Sequence, residues 1–297
     1  MYYELYGAEH EEALVYLHGG PGASCLDFEL QAKAIGKHKK VIALDQWGVL
    51  RSGAINETDV YSMNLQIEML EEMRRLLGIK TWSALGHSYG GALAVLYAYT
   101  YPQSIDKLIL ECPSLDFVDS AKSVAHYMSG YIHDLGDIQS MRICEKIKAT
   151  EYHDHTVVDD LLELLSYVKE PKLRNYLHGV SFEAYQHSIN TNGITNDMWG
   201  KADVHFRKLM DDELGNQRKF PLDAKMWDSF LPLVAQLHLP TLLIRGKYDP
   251  ACTDDQANYL LQHVPDSRQV IFQNSGHFPR IEEPDAYTSC VVGFLNE

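Results

Sequence analysis

Ser88, Asp249 and His277 have the types and the chain order needed for nucleophilic acyl transfer. A serine hydroxyl is a weak nucleophile until a neutral imidazole takes its proton. The imidazole in turn needs a carboxylate behind it to fix its tautomer and to stabilise the cation that forms. Each of the three residues stands just past a predicted core strand, and Ser, Asp, His is the order expected where the serine sits on a strand-to-helix turn. Singly they are ambiguous: Ser88 fits a glycine-rich turn, Asp249 fits a turn before Pro250, and His277 is one of 14 histidines. Jointly, three fitting residue types at three fitting strand ends predict a hydrolytic site.

The surrounding residues supply the rest of such a site. Ser88 lies in Leu85-Gly86-His87-Ser88-Tyr89-Gly90-Gly91, after the apolar run Trp82 to Leu85 and before the helix-forming stretch Ala92 to Tyr99. A Cβ at Gly86 or Gly90 would collide with a neighbouring strand or helix, and the helix that starts beside Ser88 offers unpaired backbone N–H groups. Tyr89 then gives the first N–H of an oxyanion hole. The second is expected from Gly20 in His18-Gly19-Gly20-Pro21-Gly22, a loop of nearly bare backbone at the end of the strand Ala13 to Leu17. His18 reads either as a second base or, more commonly for a loop base, as a hydrogen-bonded structural group. Asp45 and Arg51 read either as an acid and an anion clamp or as an ion pair that pins their loop.

Positioning these loops requires a sheet. Apolar runs at Tyr2 to Tyr6, Ala13 to Leu17, Lys40 to Leu44, Trp82 to Leu85, Ile105 to Glu111, Thr241 to Gly246 and Arg268 to Phe272 predict strands, the first two joined by the polar turn Gly7 to Glu12. Helical stretches alternate with them: Leu26 to Gly36, Ser62 to Leu77 with Ser62 as N-cap, Asp255 to Gln262 and Pro284 to Leu295. The alternation predicts an α/β fold with a mostly parallel, doubly wound sheet. Residues 113–236 have a different texture, with helical spacing at Leu161, Leu162, Leu164, Leu165 and Val168. They are read as a helical cap inserted into a core formed by 1–112 and 237–297, roofing the carboxyl edge of the sheet.

Composition excludes several classes. The formal net charge of −15 and a pI near 5.3 repel nucleic acid and anionic membrane surfaces. No run of apolar residues is long enough to span a bilayer, and Tyr2 to Tyr6 lacks the charged and apolar regions of a secretory leader. Five scattered cysteines predict reduced thiols and a cytoplasmic setting. His153 and His155 form no HExxH or Cys/His array, so neither metal nor cofactor is expected.

The segments His18-Gly19-Gly20-Pro21-Gly22, Asp45-Gln46-Trp47-Gly48 with Arg51-Ser52, Gly86 to Gly91, Gly246 to Asp249 and Gly276-His277 resemble the α/β-hydrolase superfamily, and within it the proline iminopeptidase group of serine peptidases. The resemblance implies an α/β-hydrolase fold and release of an N-terminal residue, proline or another small or hydrophobic one, from short peptides through an acyl-enzyme on Ser88. It implies a small peptide or amino-acid-derived substrate and no cofactor. It places Asp203, in Met198-Trp199-Gly200-Lys201-Ala202-Asp203-Val204, where relatives carry a glutamate that holds the substrate ammonium, with Trp199 as a pocket candidate. Asp203 reads equally as a helix cap or surface charge, and Glu183, Asp197 and Glu213 are further cap candidates. Two departures weaken the ammonium site: Pro250 replaces a second acid found in some relatives, and Trp47 replaces an arginine. An esterase or amidase for small hydrophobic acyl groups, with Tyr127, Tyr131, Trp199 and Trp227 lining its cap, is the alternative. A hydrolase-fold binding module is the third reading.

Overall fold

Strand residues that are apolar at every position must be covered on both faces, and that requirement organises this molecule. In a computed structural model, which describes residues 1–53, 55–56, 58–151, 156–167, 223 and 227–297, seven strands form one sheet. They are β1 (Tyr2–Tyr6), β2 (Ala13–Leu17), β3 (Lys40–Asp45), β4 (Trp82–His87), β5 (Ile105–Glu111), β6 (Thr241–Gly246) and β7 (Ser267–Phe272), ordered β1-β3-β2-β4-β5-β6-β7. All neighbours are parallel except β1, which runs antiparallel to β3. Although a short turn joins β1 to β2, the two do not pair. Every residue of β2 is buried, as an interior strand demands, whereas β1 exposes Tyr2, Tyr3 and Leu5 and takes the edge.

Alternate residues feed two cores. Leu14, Tyr16, Val41, Ala43, Leu85, Ile109, Leu242 and Ile244 pack with Phe28, Ala32 and Ile35 around α1 (Glu29–Ile35) and with the C-terminal helix. Val15, Leu17, Ile42, Leu44, Ala84, Leu108, Leu110 and Leu243 face the other way, against α2 (Met63–Leu76) and α3 (Tyr89–Thr100). Ser62 caps α2 as its sequence predicts, accepting from the Leu65 N–H at 3.1 Å.

Between β5 and β6 the described residues include the helices α4 (Phe117–Leu135), α5 (Ile138–Ala149), α6 (Thr156–Tyr167) and the short α7 (Leu231–Val234). Phe117, Val118, Ala121, Val124, Ala125 and Met128 join α4 to the second core. Trp199, Asp203, Glu183, Asp197, Glu213, His153 and His155 lie outside the described residues. The chain closes with α8 (Asp254–His263), α9 (Pro279–Glu282) and α10 (Pro284–Leu295). All five cysteines are free thiols, and among the described residues no helix is long and apolar enough to cross a membrane.

α3 begins beside Ser88, and its placement depends on a buried charge in α2. Glu71 accepts from Arg74 Nη2 at 2.6 Å, Arg75 Nε at 3.0 Å and the Tyr97 hydroxyl of α3 at 2.9 Å. Arg74, against the upward push of burial and with Tyr97 assisting, pulls the Glu71 carboxyl from 4.5 down to about 2. A carboxylate depressed in the folded state contributes stability that is present above its unfolded value and lost as pH falls through the folded one. Glu71→Gln should therefore cost roughly 2–3 kcal/mol at neutral pH. Thermal melts of the two proteins should converge as pH falls from about 5 toward 2. A melting difference unchanged across that window would remove Glu71 from this role.

Candidate active site

From β2 the chain steps to β3 on one side and then returns across β2 to β4 on the other. This reversal opens a crevice between the carboxyl ends of β2 and β4, the place where open α/β sheets take ligands. The Gly-rich loop leaves β2 there, and Ser88 follows β4 directly.

Ser88 adopts φ 53° and ψ −118°, a conformation that costs a non-glycine residue on the order of 1–3 kcal/mol. Its neighbours show why the turn is so sharp. A Cβ on Gly86 would lie 2.2 Å from the Gly90 carbonyl oxygen, and one on Gly90 would lie 2.1 Å from that of Leu17 in β2. Strand, turn and helix therefore approach backbone to backbone. α3 starts at Tyr89, earlier than residue propensities alone suggest, so the Tyr89 N–H occupies the first helical position, which has no intrahelical acceptor. The Tyr89 ring is buried, its hydroxyl accepting from Gln66 Nε2 at 2.9 Å.

Gly20 stands exposed in the loop after β2, with φ 123° and a cis bond to Pro21. The loop lies against the elbow: a Cβ on Gly19 would fall 3.3 Å from Ser88 Cβ and 2.8 Å from His87 Nδ1. His18 holds the loop from below. Its Nε2 accepts the Gln46 N–H at 3.0 Å, which leaves the proton on Nδ1 to be donated to the Gly19 carbonyl at 2.8 Å. Burial lowers its pKa, favouring this neutral form, and with both nitrogens occupied it serves the loop rather than proton transfer. Asp45 likewise pins a loop. Fully buried, it accepts from Ser24 Oγ at 2.5 Å, from the Cys25 N–H at 3.1 Å and from Arg51 Nε at 2.6 Å, while Arg51 also reaches Glu4.

Asp249 follows β6 and His277 follows β7, the adjacent strand, and the structure brings them together. His277 Nδ1 donates to Asp249 Oδ1 at 2.9 Å, leaving Nε2 as the ring's acceptor. Asp249 also accepts from the N–H groups of Ala251 at 2.9 Å and Cys252 at 3.2 Å. Burial pushes its pKa up, but His277 and these donors more than offset that and hold it below the ordinary carboxylate value. The close fit again needs glycine, since a Cβ on Gly246 would lie 1.9 Å from the Gly276 carbonyl oxygen.

Two site residues were not anticipated. His87, beside Ser88, donates from Nε2 to the His277 carbonyl at 2.9 Å, with the two ring centroids 4.7 Å apart, so the elbow touches the His277 loop directly. Cys112, at φ 44° just past β5, lies close to the pair: its Sγ, an Asp249 carboxylate oxygen and a His277 ring nitrogen lie within 4.8 Å of one another. Burial holds it as a thiol well above its usual titration range, with Gly276 O 3.7 Å away. Neither residue carried a local signal, because each depends on which strands are neighbours. An aromatic wall extends from Tyr89 through Phe117 to Trp227, which meets Phe117 edge-on at 5.2 Å. Trp227 is thus packed into the interior, while Tyr127 is exposed.

A profile of the alpha/beta hydrolase fold family matches residues 12–284. The proline iminopeptidase of Saccharolobus solfataricus is 28% identical over 302 residues, spanning 100% of this chain and 89% of that protein. The proline iminopeptidase of Heyndrickxia coagulans is 26% identical over 283 residues, spanning 95% and 90%. Among solved structures, an esterase from Exiguobacterium antarcticum superposes with a TM-score of 0.65 at 18% identity, covering 100% of this chain and 95% of its own.

The elbow's dependence on bare backbone gives a direct test. Gly90→Ala should lose several kcal/mol of stability or fail to fold, because its Cβ meets main chain that cannot move aside. Gly130→Ala, where a Cβ meets nothing within 4 Å of a helical position, should raise stability by about 0.5–1 kcal/mol. Equal melting temperatures for the two variants would contradict the close approach.

Proposed function

The chain belongs to the alpha/beta hydrolase fold family, and on that premise we propose that it is a serine hydrolase that releases the N-terminal residue, proline or another small or hydrophobic one, from short peptides. The observations that support the hydrolytic part are the Asp249–His277 pair, whose loop is bonded to the elbow through His87, and the strained backbone of Ser88 at the topological switch of the sheet. The aminopeptidase part rests on relatives named for that activity across nearly the whole chain.

Each group has a task. His277 Nε2 takes the Ser88 proton as Oγ attacks the carbonyl, and the imidazolium that forms is stabilised by Asp249, which is already ionised because its pKa is depressed. The N–H groups of Gly20 and Tyr89 receive the developing oxyanion. His277 then protonates the leaving amine. Water, activated by the same imidazole, breaks the acyl bond to Ser88 and restores the enzyme. Asp203 is the group proposed to hold the substrate ammonium, with Trp199 beside it in the sequence.

The likeness to a solved esterase supports, as a second reading, an esterase or amidase for hydrophobic acyl groups. A panel of amino-acid arylamides and short acyl esters, each with and without a blocked amine, separates the two. Aminopeptidase action predicts that acetylating the amine abolishes turnover of the arylamides; rates indifferent to blocking select the esterase. Ser88→Ala should abolish turnover with the melting temperature retained, and Asp249→Asn should lower kcat by roughly 10⁴-fold. Activity of Ser88→Ala within about tenfold of the parent would reject the nucleophile assignment.

Asp203→Asn tests the ammonium site separately. Removing one partner of a buried charge pair costs about 3–5 kcal/mol, so kcat/KM for free-amine substrates should fall by at least ~10²-fold while simple esters are spared. Equal losses on both substrate classes would show that Asp203 is not the anchor.

A further inference from the structure

β5 separates the strand that carries Ser88 from the strand that leads to Asp249. Its last residue, Glu111, is fully buried and works at both ends. In the main chain its carbonyl accepts the Ser88 N–H at 3.0 Å, and in the sheet it is in register with His87. Through its side chain it holds the segment that carries His277. Oε1 accepts the Arg280 backbone N–H at 3.3 Å, and Oε2 lies 3.0 Å from Arg280 Nη1 and accepts the Tyr287 hydroxyl at 3.1 Å. Arg280 sits three residues past His277 in α9, and it too is fully buried. The same short helix reaches back to the other side of His277, where Glu282 accepts the Gly276 N–H at 2.7 Å. His277 is therefore carried on a clip that the Glu111 side chain holds from β5, while His87 Nε2 donates to the His277 carbonyl from the elbow strand itself.

A second carboxylate, Asp27, pairs with the Arg280 guanidinium and is itself held by the Tyr16 hydroxyl at 3.1 Å. It differs from Glu111 in two respects. It grips only the tip of a long side chain and not the backbone of the clip. It also makes no bond to the Ser88 turn.

We infer that Glu111 is a positioning residue that sets the separation of Ser88 from His277, linking the backbone of the one to the supporting helix of the other. This rests on the serine hydrolase reading above. Charge burial alone does not explain the arrangement, since an ion pair of this depth adds little net stability over apolar packing. Its value is geometric: a reacting group displaced by about 1 Å can lose on the order of 10²-fold in rate.

The experiment compares Glu111→Gln, Asp27→Asn and Tyr287→Phe. Each is assayed by thermal melting and by the concentration dependence of labelling with a fluorophosphonate, whose phosphorus bonds to Ser88 Oγ as fluoride leaves and His277 takes the proton. Glu111→Gln and Asp27→Asn each deprive Arg280 of one carboxylate and should lower the melting temperature. Glu111→Gln, and not Asp27→Asn, should lower the maximal labelling rate, by about 10- to 100-fold, with the half-saturating concentration unchanged. Should Glu111→Gln fail to fold, Tyr287→Phe decides, because it removes one hydrogen bond to Oε2 and leaves the ion pair; a lowered maximal rate supports the assignment and a wild-type rate overturns it. Equal slowing by Asp27→Asn and Glu111→Gln would overturn it by making the network purely structural. Wild-type protein that is not labelled at all would overturn the hydrolase reading and this one together, whereas normal labelling of Glu111→Gln would overturn only this one.

Discussion

Backbone that passes within contact distance of backbone is the constraint on which the carboxyl edge of this sheet depends. At the elbow, the Cβ positions of Gly86 and Gly90 are filled by carbonyl oxygens of Gly90 and Leu17, and at the second crossing Gly246 meets Gly276 in the same way. The first crossing lifts Ser88 into a left-handed conformation, and the second sets Asp249 beside His277. Neither crossing tolerates a side chain, so each holds its catalytic candidate within a narrow range. The strain at Ser88 is offset by bonds to its own main chain, where its N–H is bonded to Glu111 and its carbonyl accepts from Gly91 and Ser114.

Loops that leave strand ends have few apolar side chains to anchor them, and here charges take over that task. Arg51 ties the loop after β3 to Asp45 and to β1, Arg280 ties the segment after β7 to Asp27 and Glu111, and Glu71 ties α2 to α3. Burial pushes the Glu111 carboxyl up even with Arg280 beside it, whereas Glu71, reached by two arginines and a tyrosine, is drawn down. Such pairs are costly to break, because removing one partner strands a charge in the interior. Their directional bonds fix loop geometry in a way that interchangeable apolar contacts do not.

The residues proposed for hydrolysis and those proposed for substrate binding occupy different parts of the chain. The serine, its proposed acid and base and the Gly-rich loop all belong to the sheet's edge, whereas the residues assigned to substrate lie between β5 and β6. Among the described residues between β5 and β6, Trp227 packs edge-on against Phe117, and Phe117 packs against the buried Tyr89 ring that follows Ser88.

Local patterns were enough to read seven strands, most of the helices and the loops bearing Ser88, Gly20, Asp249 and His277, because each depends on a short apolar run and the turn residues beside it. Tertiary structure alone decided the pairings between distant segments. β1 lies against β3 although β2 is nearer in sequence, and which strand holds the edge depends on the burial of the whole sheet. The role of His18 was open until the partners of both ring nitrogens were known. Glu111 was visible as an acid ending an apolar strand, yet Arg280 stands 169 residues away. Cys112, His87 and that ion pair meet only because β4, β5, β6 and β7 are neighbours in that order. Strand order arises from the packing of the whole chain, so no local stretch of sequence encodes it.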